Sequence, residues 1–82
     1  LPNCVLHHES TLETFTILSA GVQISGEVHI GQNCYLGNGV KVIDHCQIAE
    51  RCLVAMGANV VKSLTETDSI YLGSPAKFHR KL

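Results

Sequence analysis

The sequence predicts a mainly-β chain in which short strands, joined by bends, stack as the coils of a parallel β-helix. A branched aliphatic residue stands at every sixth position from 6 to 60, namely Leu6, Leu12, Leu18, Ile24, Ile30, Leu36, Val42, Ile48, Val54 and Val60. A period of six fits neither a 3.6-residue helical turn nor a strand of period two, because it requires a turn within every repeat. Three repeats close a coil of 18 residues, so residues 18 apart should lie above one another in parallel sheets.

A second column, four places after each aliphatic residue, carries mostly small or β-branched side chains and includes all the cysteines: Cys4, Cys34, Cys46 and Cys52. Because one spacing rule covers all four, we expect them to be free, small packing residues at the corners rather than disulfide partners or metal ligands. Gly31, Gly37 and Gly39 are expected to supply permissive backbone near the bends.

The length of 82 residues predicts a single domain, with repeats over residues 4–65 and a C-terminal cap and basic tail over 66–82. Both ends of a strand stack expose unpaired edges and core. We expect the segment SIYLGSPAK to cover the C-terminal end, with Ile70 and Leu72 pointing inward and Pro75 ending the strand.

The charge pattern argues against several partners. A formal net charge of −1 and the lack of a basic stripe argue against nucleic-acid binding. No apolar run approaches the ~18–20 residues of a membrane span, and the opening LPNCVLHHES lacks the features of a signal peptide. We therefore expect a soluble, cytoplasmic protein with neither nucleic-acid nor membrane partners.

Further motifs accompany the repeat. They are His8-Glu9-Ser10 with Phe15, Ser19-Ala20-Gly21, Gly26-Glu27-Val28-His29-Ile30-Gly31 and Gly73-Ser74-Pro75-Ala76-Lys77. Together with the repeated aliphatic-Gly-x4 pattern, they resemble the hexapeptide-repeat acyltransferases. Within these, the chain is most similar to the branch of sialic acid O-acetyltransferases and UDP-4-amino-sugar N-acetyltransferases. The resemblance spans about residues 3–77 and implies a left-handed parallel β-helix, here of about three coils.

The resemblance also implies an activity: transfer of an acetyl group from acetyl-CoA to an amino or hydroxyl group of a sugar or nucleotide-sugar. By this resemblance His8 is the general base, since a neutral imidazole is available near pH 7. Glu9 matches the acidic neighbour that orients the ring. Gly26 matches the glycine whose backbone N–H binds the thioester carbonyl, and it lies one coil of 18 residues beyond His8.

Four residues are carried over as acetyl-CoA contacts: Asn38 and Met56 by their positions in the family, and Lys62 and Lys77 as partners for the adenosine phosphates. Two departures stand out. Ile17 replaces a second histidine found nine residues after the base in close relatives. Relatives usually carry a sugar-binding domain ahead of the β-helix, whereas this chain begins within the repeat at Cys4.

Two alternatives remain open. One is a non-catalytic trimeric scaffold, or a truncated fragment of such an enzyme. The other is a zinc protein of the carbonic-anhydrase type, although the five histidines contain no H-x4-H pair, so no metal site is predicted.

We expect a homotrimer, with hexamers formed by end-to-end stacking as a further possibility. A prism this thin buries little core, so additional burial must come from other subunits. The apolar residues that the inward register leaves outside are expected at the interface: Phe15, Ile17, Ile43, Leu53 and Val61.

Overall fold

The computed structural model describes residues 4–6 and 9–82, and its regular elements are all strands. Ten two-residue strands recur every six residues: β1 Val5–Leu6, β2 Thr11–Leu12, β3 Ile17–Leu18, β4 Gln23–Ile24, β5 His29–Ile30, β6 Tyr35–Leu36, β7 Lys41–Val42, β8 Gln47–Ile48, β9 Leu53–Val54 and β10 Asn59–Val60. Two longer strands follow, β11 Ser69–Leu72 and β12 Lys77–Lys81. Within the described ranges no helix is long and apolar enough to cross a membrane.

The strands form three sheets that are the faces of a prism. The first sheet has the order β1-β4-β7-β10, the second β2-β5-β8, and the third β3-β6-β9-β11-β12. Parallel pairs among β1–β10 join residues 18 apart, as in Leu6 with Ile24, so the predicted left-handed parallel β-helix is confirmed. The stack makes about four turns rather than slightly more than three, because β11 continues the third sheet in parallel with β9 and Leu64 bridges to Ile48.

The core consists of the two predicted columns. The large aliphatics from Leu18 to Val60 are buried, and so is the second column from Val22 to Leu64. Leu6 is 48% exposed because it lies in the first described coil, at one end of the prism. All four cysteines are free, and Cys4 is half-buried while the other three are buried, which confirms their packing role.

The bends share one backbone feature that the sequence does not reveal. A left-handed φ recurs at every sixth residue, at Glu9, Phe15, Gly21, Glu27, Asn33, Gly39, His45, Arg51 and Gly57. Gly39 therefore has the predicted role, but Gly31 and Gly37 do not, since neither has a positive φ. They are needed for space instead: a Cβ on Gly37 would lie 2.7 Å from the backbone nitrogen of Met56 in the next coil.

This difference predicts unequal effects of two glycine substitutions. Gly37→Ala should lower the free energy of unfolding by about 1–3 kcal/mol, or roughly 5–20 °C in Tm, because only backbone movement can relieve the clash. Gly39→Asn is the control: nothing lies within 4 Å of its added Cβ, and asparagine tolerates a left-handed φ, as Asn33 does here. Equal melting temperatures for the two variants would contradict the close-approach role.

The cap differs from the prediction. Ser69 and Tyr71 point inward, whereas Ile70 is half-buried and Leu72 is exposed, so the predicted inward pair was wrong. Tyr71 pairs with Val54 and takes over the core position of the register, and its ring closes the end of the prism. The Tyr71 hydroxyl accepts a hydrogen bond from the Glu66 N–H at 2.9 Å, and burial raises the pKa of this hydroxyl.

The rest of the cap is a hairpin. Pro75 lies in the turn after β11, as expected, and β12 returns antiparallel to β11. Arg51 fastens the start of this cap to the coil below, with its Nε and Nη2 donating to Oδ1 and Oδ2 of Asp68 at 2.6 and 3.1 Å. The hydrogen bonds from Arg51 hold the pKa of the Asp68 carboxyl below its usual value.

Acidification should therefore weaken this attachment. Because the pKa of Asp68 is lower in the folded state, the unfolded state takes up the proton first, and stability is lost as pH falls below about 5 toward the folded pKa. Asp68→Asn should melt at a lower temperature than the parent at pH 7 and lose less Tm between pH 5 and 3. Asp44→Asn is the control, since Asp44 makes no ion pair with any described residue. Parallel Tm-against-pH curves for Asp68→Asn and the parent would refute the prediction.

Candidate functional site

One edge of the prism, between the first and second sheets, carries most of the predicted chemistry; we call it the Gly26 edge. It contains the bends Gly26–Glu27 and Asp44–His45, one coil apart, followed by Lys62 in the next coil. The carbonyl of Gly26 accepts a hydrogen bond from the His45 N–H at 3.1 Å, which joins the two bends.

Of the three predicted catalytic residues, two are described. Glu9 is an exposed bend residue with a φ of 62° and lies between β1 and β2, so it belongs to the Gly26 edge. Gly26 is half-buried in the corresponding bend one coil further along. His8 lies outside the described residues, so its position and role stay a prediction.

The Gly26 edge also carries an ion pair that the sequence reading did not single out. Nδ1 of His45 lies 2.7 Å from Oε1 of Glu27. The two residues are 18 apart, so the coil register itself was the signal that could have found this contact. The pair orders the exposed side of the edge next to Gly26.

The predicted cofactor contacts fall into two separate groups. Asn38 and Met56 lie one above the other on the edge between the third and first sheets, which we call the Met56 edge. Asn38 Oδ1 accepts from the Ala20 N–H at 3.2 Å, and Met56 is 73% exposed. The whole first sheet separates them from Gly26, so one chain does not bring these residues together.

Lys62 and Lys77, in contrast, do meet. Both line a shallow groove of about 290 Å³ at the C-terminal end of the prism, with Phe78 and Glu66. Lys77 lies in β12, whose later residue Lys81 contacts Glu66 at 3.2 Å. The groove thus has two exposed ammonium groups and an aromatic ring. Among the residues with described positions, no group of three or more histidine, cysteine or acidic side chains is arranged to hold a metal ion.

Comparison with known proteins agrees with this geometry. Residues 27–62 match the family model of the bacterial transferase hexapeptide, with six repeats. The chain is 30% identical over 66 residues to UDP-3-O-acylglucosamine N-acyltransferase of Delftia acidovorans, covering 80% of this chain and 19% of that protein. It is 38% identical over 56 residues to a probable macrolide acetyltransferase of Lysinibacillus sphaericus, covering 68% of this chain and 31% of that one.

A solved structure resembles nearly the whole fold. It is a variant of perosamine N-acetyltransferase from Caulobacter crescentus in complex with CoA and GDP-perosamine, with a TM-score of 0.93 and 26% identity over 96% of this chain and 37% of that one. The chain thus spans less than two fifths of the length of each of these three relatives. The repeat match and the fold together place this chain among the hexapeptide-repeat proteins, and the relatives it matches are acyltransferases.

Proposed function

We propose that the protein transfers an acetyl group from acetyl-CoA to an amino or hydroxyl group of a sugar or nucleotide-linked sugar. The named relatives support this: one is a sugar N-acyltransferase, and another is a perosamine N-acetyltransferase whose structure contains CoA and GDP-perosamine. The Gly26 edge, with Glu9, Gly26 and Lys62, offers the groups that such a transfer requires.

The strand register around residue 8 carries the proposal. Val5 pairs with Gln23, and Thr11 pairs with His29, so the 18-residue offset holds on both sides of residue 8. We therefore expect His8 to lie beside Gly26 on the Gly26 edge. This juxtaposition would put a general base and a backbone N–H donor at one reaction centre.

The chemistry then follows in balanced steps. The acceptor nitrogen or oxygen attacks the thioester carbonyl carbon while the imidazole of His8 takes its proton. The N–H of Gly26 donates to the oxyanion that forms, and the carboxylate of Glu9 stabilises the imidazolium. When the C–S bond breaks, the proton passes from the imidazolium to the departing CoA sulfur, and the base is regenerated.

The separation of Gly26 from the Met56 edge supports a donor site between two subunits of a homotrimer. A single acetyl-CoA would reach both groups of contacts only if the Met56 edge of one subunit lay near the Gly26 edge of another. The groove with Lys62 and Lys77 suits the phosphates of the cofactor, since ammonium groups bind phosphate as point charges. We also propose a cytoplasmic location, where free cysteines stay reduced.

The test combines binding with transfer. Calorimetry should detect acetyl-CoA binding to the protein, and an assay of released CoA thiol should detect transfer to an amino sugar such as glucosamine. Desulfo-CoA with and without the acceptor is the control for thiol that does not arise from transfer. A non-catalytic scaffold would bind no acetyl-CoA, and that result would overturn the proposal.

A further inference from the structure

The larger of two grooves in the described chain lies away from the Gly26 edge, on the outer face of the second sheet. It has a volume of about 480 Å³ and exists because this sheet ends early. After β10 the chain leaves the regular register, Leu64 makes a single bridge to Ile48, and the backbone then departs toward β11. The missing rung leaves a hollow with Thr65 at its rim.

The walls of this groove are polar and held in place. Nε2 of His29 lies 3.4 Å from Oε2 of Glu13 on one side. On the other, Nε2 of Gln32 donates to Oε1 of Glu50 at 3.0 Å. Between them the side-chain amide of Gln47 has no hydrogen-bond partner in the described part of the chain. The groove therefore presents fixed acceptors and a free amide that both donates and accepts.

The charges favour a neutral ligand. Glu13 is beside His29, and Glu50 also contacts Arg51 at 3.3 Å, so each carboxylate already has a basic partner. The groove lining contains no lysine or arginine that would select phosphate. Its floor is narrow and partly apolar, and Gly31 belongs to it because a Cβ there would lie 2.7 Å from the Glu50 nitrogen.

We propose that this groove binds the ring of a neutral saccharide. Sugar hydroxyls donate and accept in turn, which matches the amide of Gln47 and the carboxylates of Glu13 and Glu50, while the floor faces the C–H side of the ring. The volume lies in the range of small-molecule sites. Polar groups at fixed positions give such a site its specificity.

The position of the groove connects it to the proposed reaction. His29 follows Gly26 by three residues, at most about 10 Å of extended chain, so a saccharide in the groove ends near the Gly26 edge. We assign the bound ring to the acceptor. This assignment rests on the proposed function, whereas the binding itself does not.

The three glutamines of the chain provide the experiment. The side-chain amides of Gln32 and Gln47 lie in the groove, and that of Gln23 lies on the first sheet and serves as the internal reference. Titration of the ¹⁵N-labelled protein with N-acetyl-D-glucosamine should shift the amides of Gln32 and Gln47, with saturation at millimolar sugar, and leave Gln23 unmoved. Inorganic phosphate in place of the sugar should shift neither groove amide.

Two variants sharpen the test. Gln47→Ala should weaken the sugar affinity about fivefold, the usual effect of losing one or two neutral hydrogen bonds, and Gln23→Ala should not change it. Unshifted groove amides, equal shifts at all three glutamines, or an unchanged affinity in Gln47→Ala would overturn the inference. Acetyl transfer to a sugar without these shifts would overturn the groove assignment alone. Shifts without any transfer would overturn the proposed function and leave the groove as a saccharide site.

Discussion

His8→Ala should lower acetyl transfer by about 10²–10⁴-fold while acetyl-CoA affinity stays nearly unchanged. General-base catalysis contributes a factor of this size, and removing the imidazole takes nothing from the groups expected to hold the cofactor. Turnover measured by thiol release and affinity measured by calorimetry separate the two effects. A loss of kcat without a change in cofactor binding is the signature of a group that acts in the chemical step.

The neighbouring His7 provides the control for this experiment. His7→Ala changes the same residue type one position away, and it should retain turnover within a few-fold of the parent. Full turnover in His8→Ala would mean that the base lies elsewhere, and the roles carried over from the relatives would then fail. His45 would be the next residue to test, because its imidazole is on the Gly26 edge and is oriented by Glu27 at 2.7 Å.

The repeat architecture was predictable because a β-helix uses the same local rule in every coil. Leu18 and Leu36 occupy equivalent sites one coil apart, so one register, once found, determines which side chains enter the core. The same arithmetic places residues on edges. Asn38 and Met56 differ by 18 and share an edge, whereas Gly26 has a different remainder and lies on another.

Other features escape this arithmetic because they depend on contacts outside the repeat. Tyr71 closes the core because β11 pairs with β9 at an offset of 17, which the regular spacing does not predict. Gly37 and Gly39 look alike in sequence, yet one is constrained by the Met56 backbone and the other by its own φ. The contact of Glu13 with His29 spans 16 residues, so a search at 18 misses it.

The outward residues of the three sheets differ in polarity, and this difference bears on assembly. The third sheet carries an apolar column in which Ile17, Tyr35 and Leu53 pair in register, with Ile17 53% exposed. The equivalent column of the second sheet is Thr11, His29 and Gln47. We therefore expect the third sheet to be covered by another subunit and the second sheet to stay in solvent.

A threefold ring requires two different patches on each subunit, because its interfaces are heterologous. The second patch is available on the Gly26 edge, where Ile43 and Val61 are exposed one coil apart. The prism measures 30 × 21 × 21 Å, so one face offers on the order of 600 Å² per subunit, close to the ~800 Å² of a standard interface. Packing the third sheet of one subunit against the Gly26 edge of the next would bury both apolar patches and enclose the proposed donor site.

Ile17→Glu should therefore abolish assembly and activity together. A carboxylate in the middle of the apolar interface would be desolvated without a partner, whereas in the free subunit Ile17 is more than half exposed and its replacement costs little. Light scattering of the parent at micromolar concentration should give a mass of three or six chains, and Ile17→Glu should give one chain without acetyl transfer. Thr11→Glu is the matched control, since Thr11 has the equivalent outward position on the second sheet one repeat earlier, and it should keep both mass and turnover. A stable monomeric parent, or an Ile17→Glu variant that remains assembled, would contradict both the proposed interface and a donor site shared between subunits.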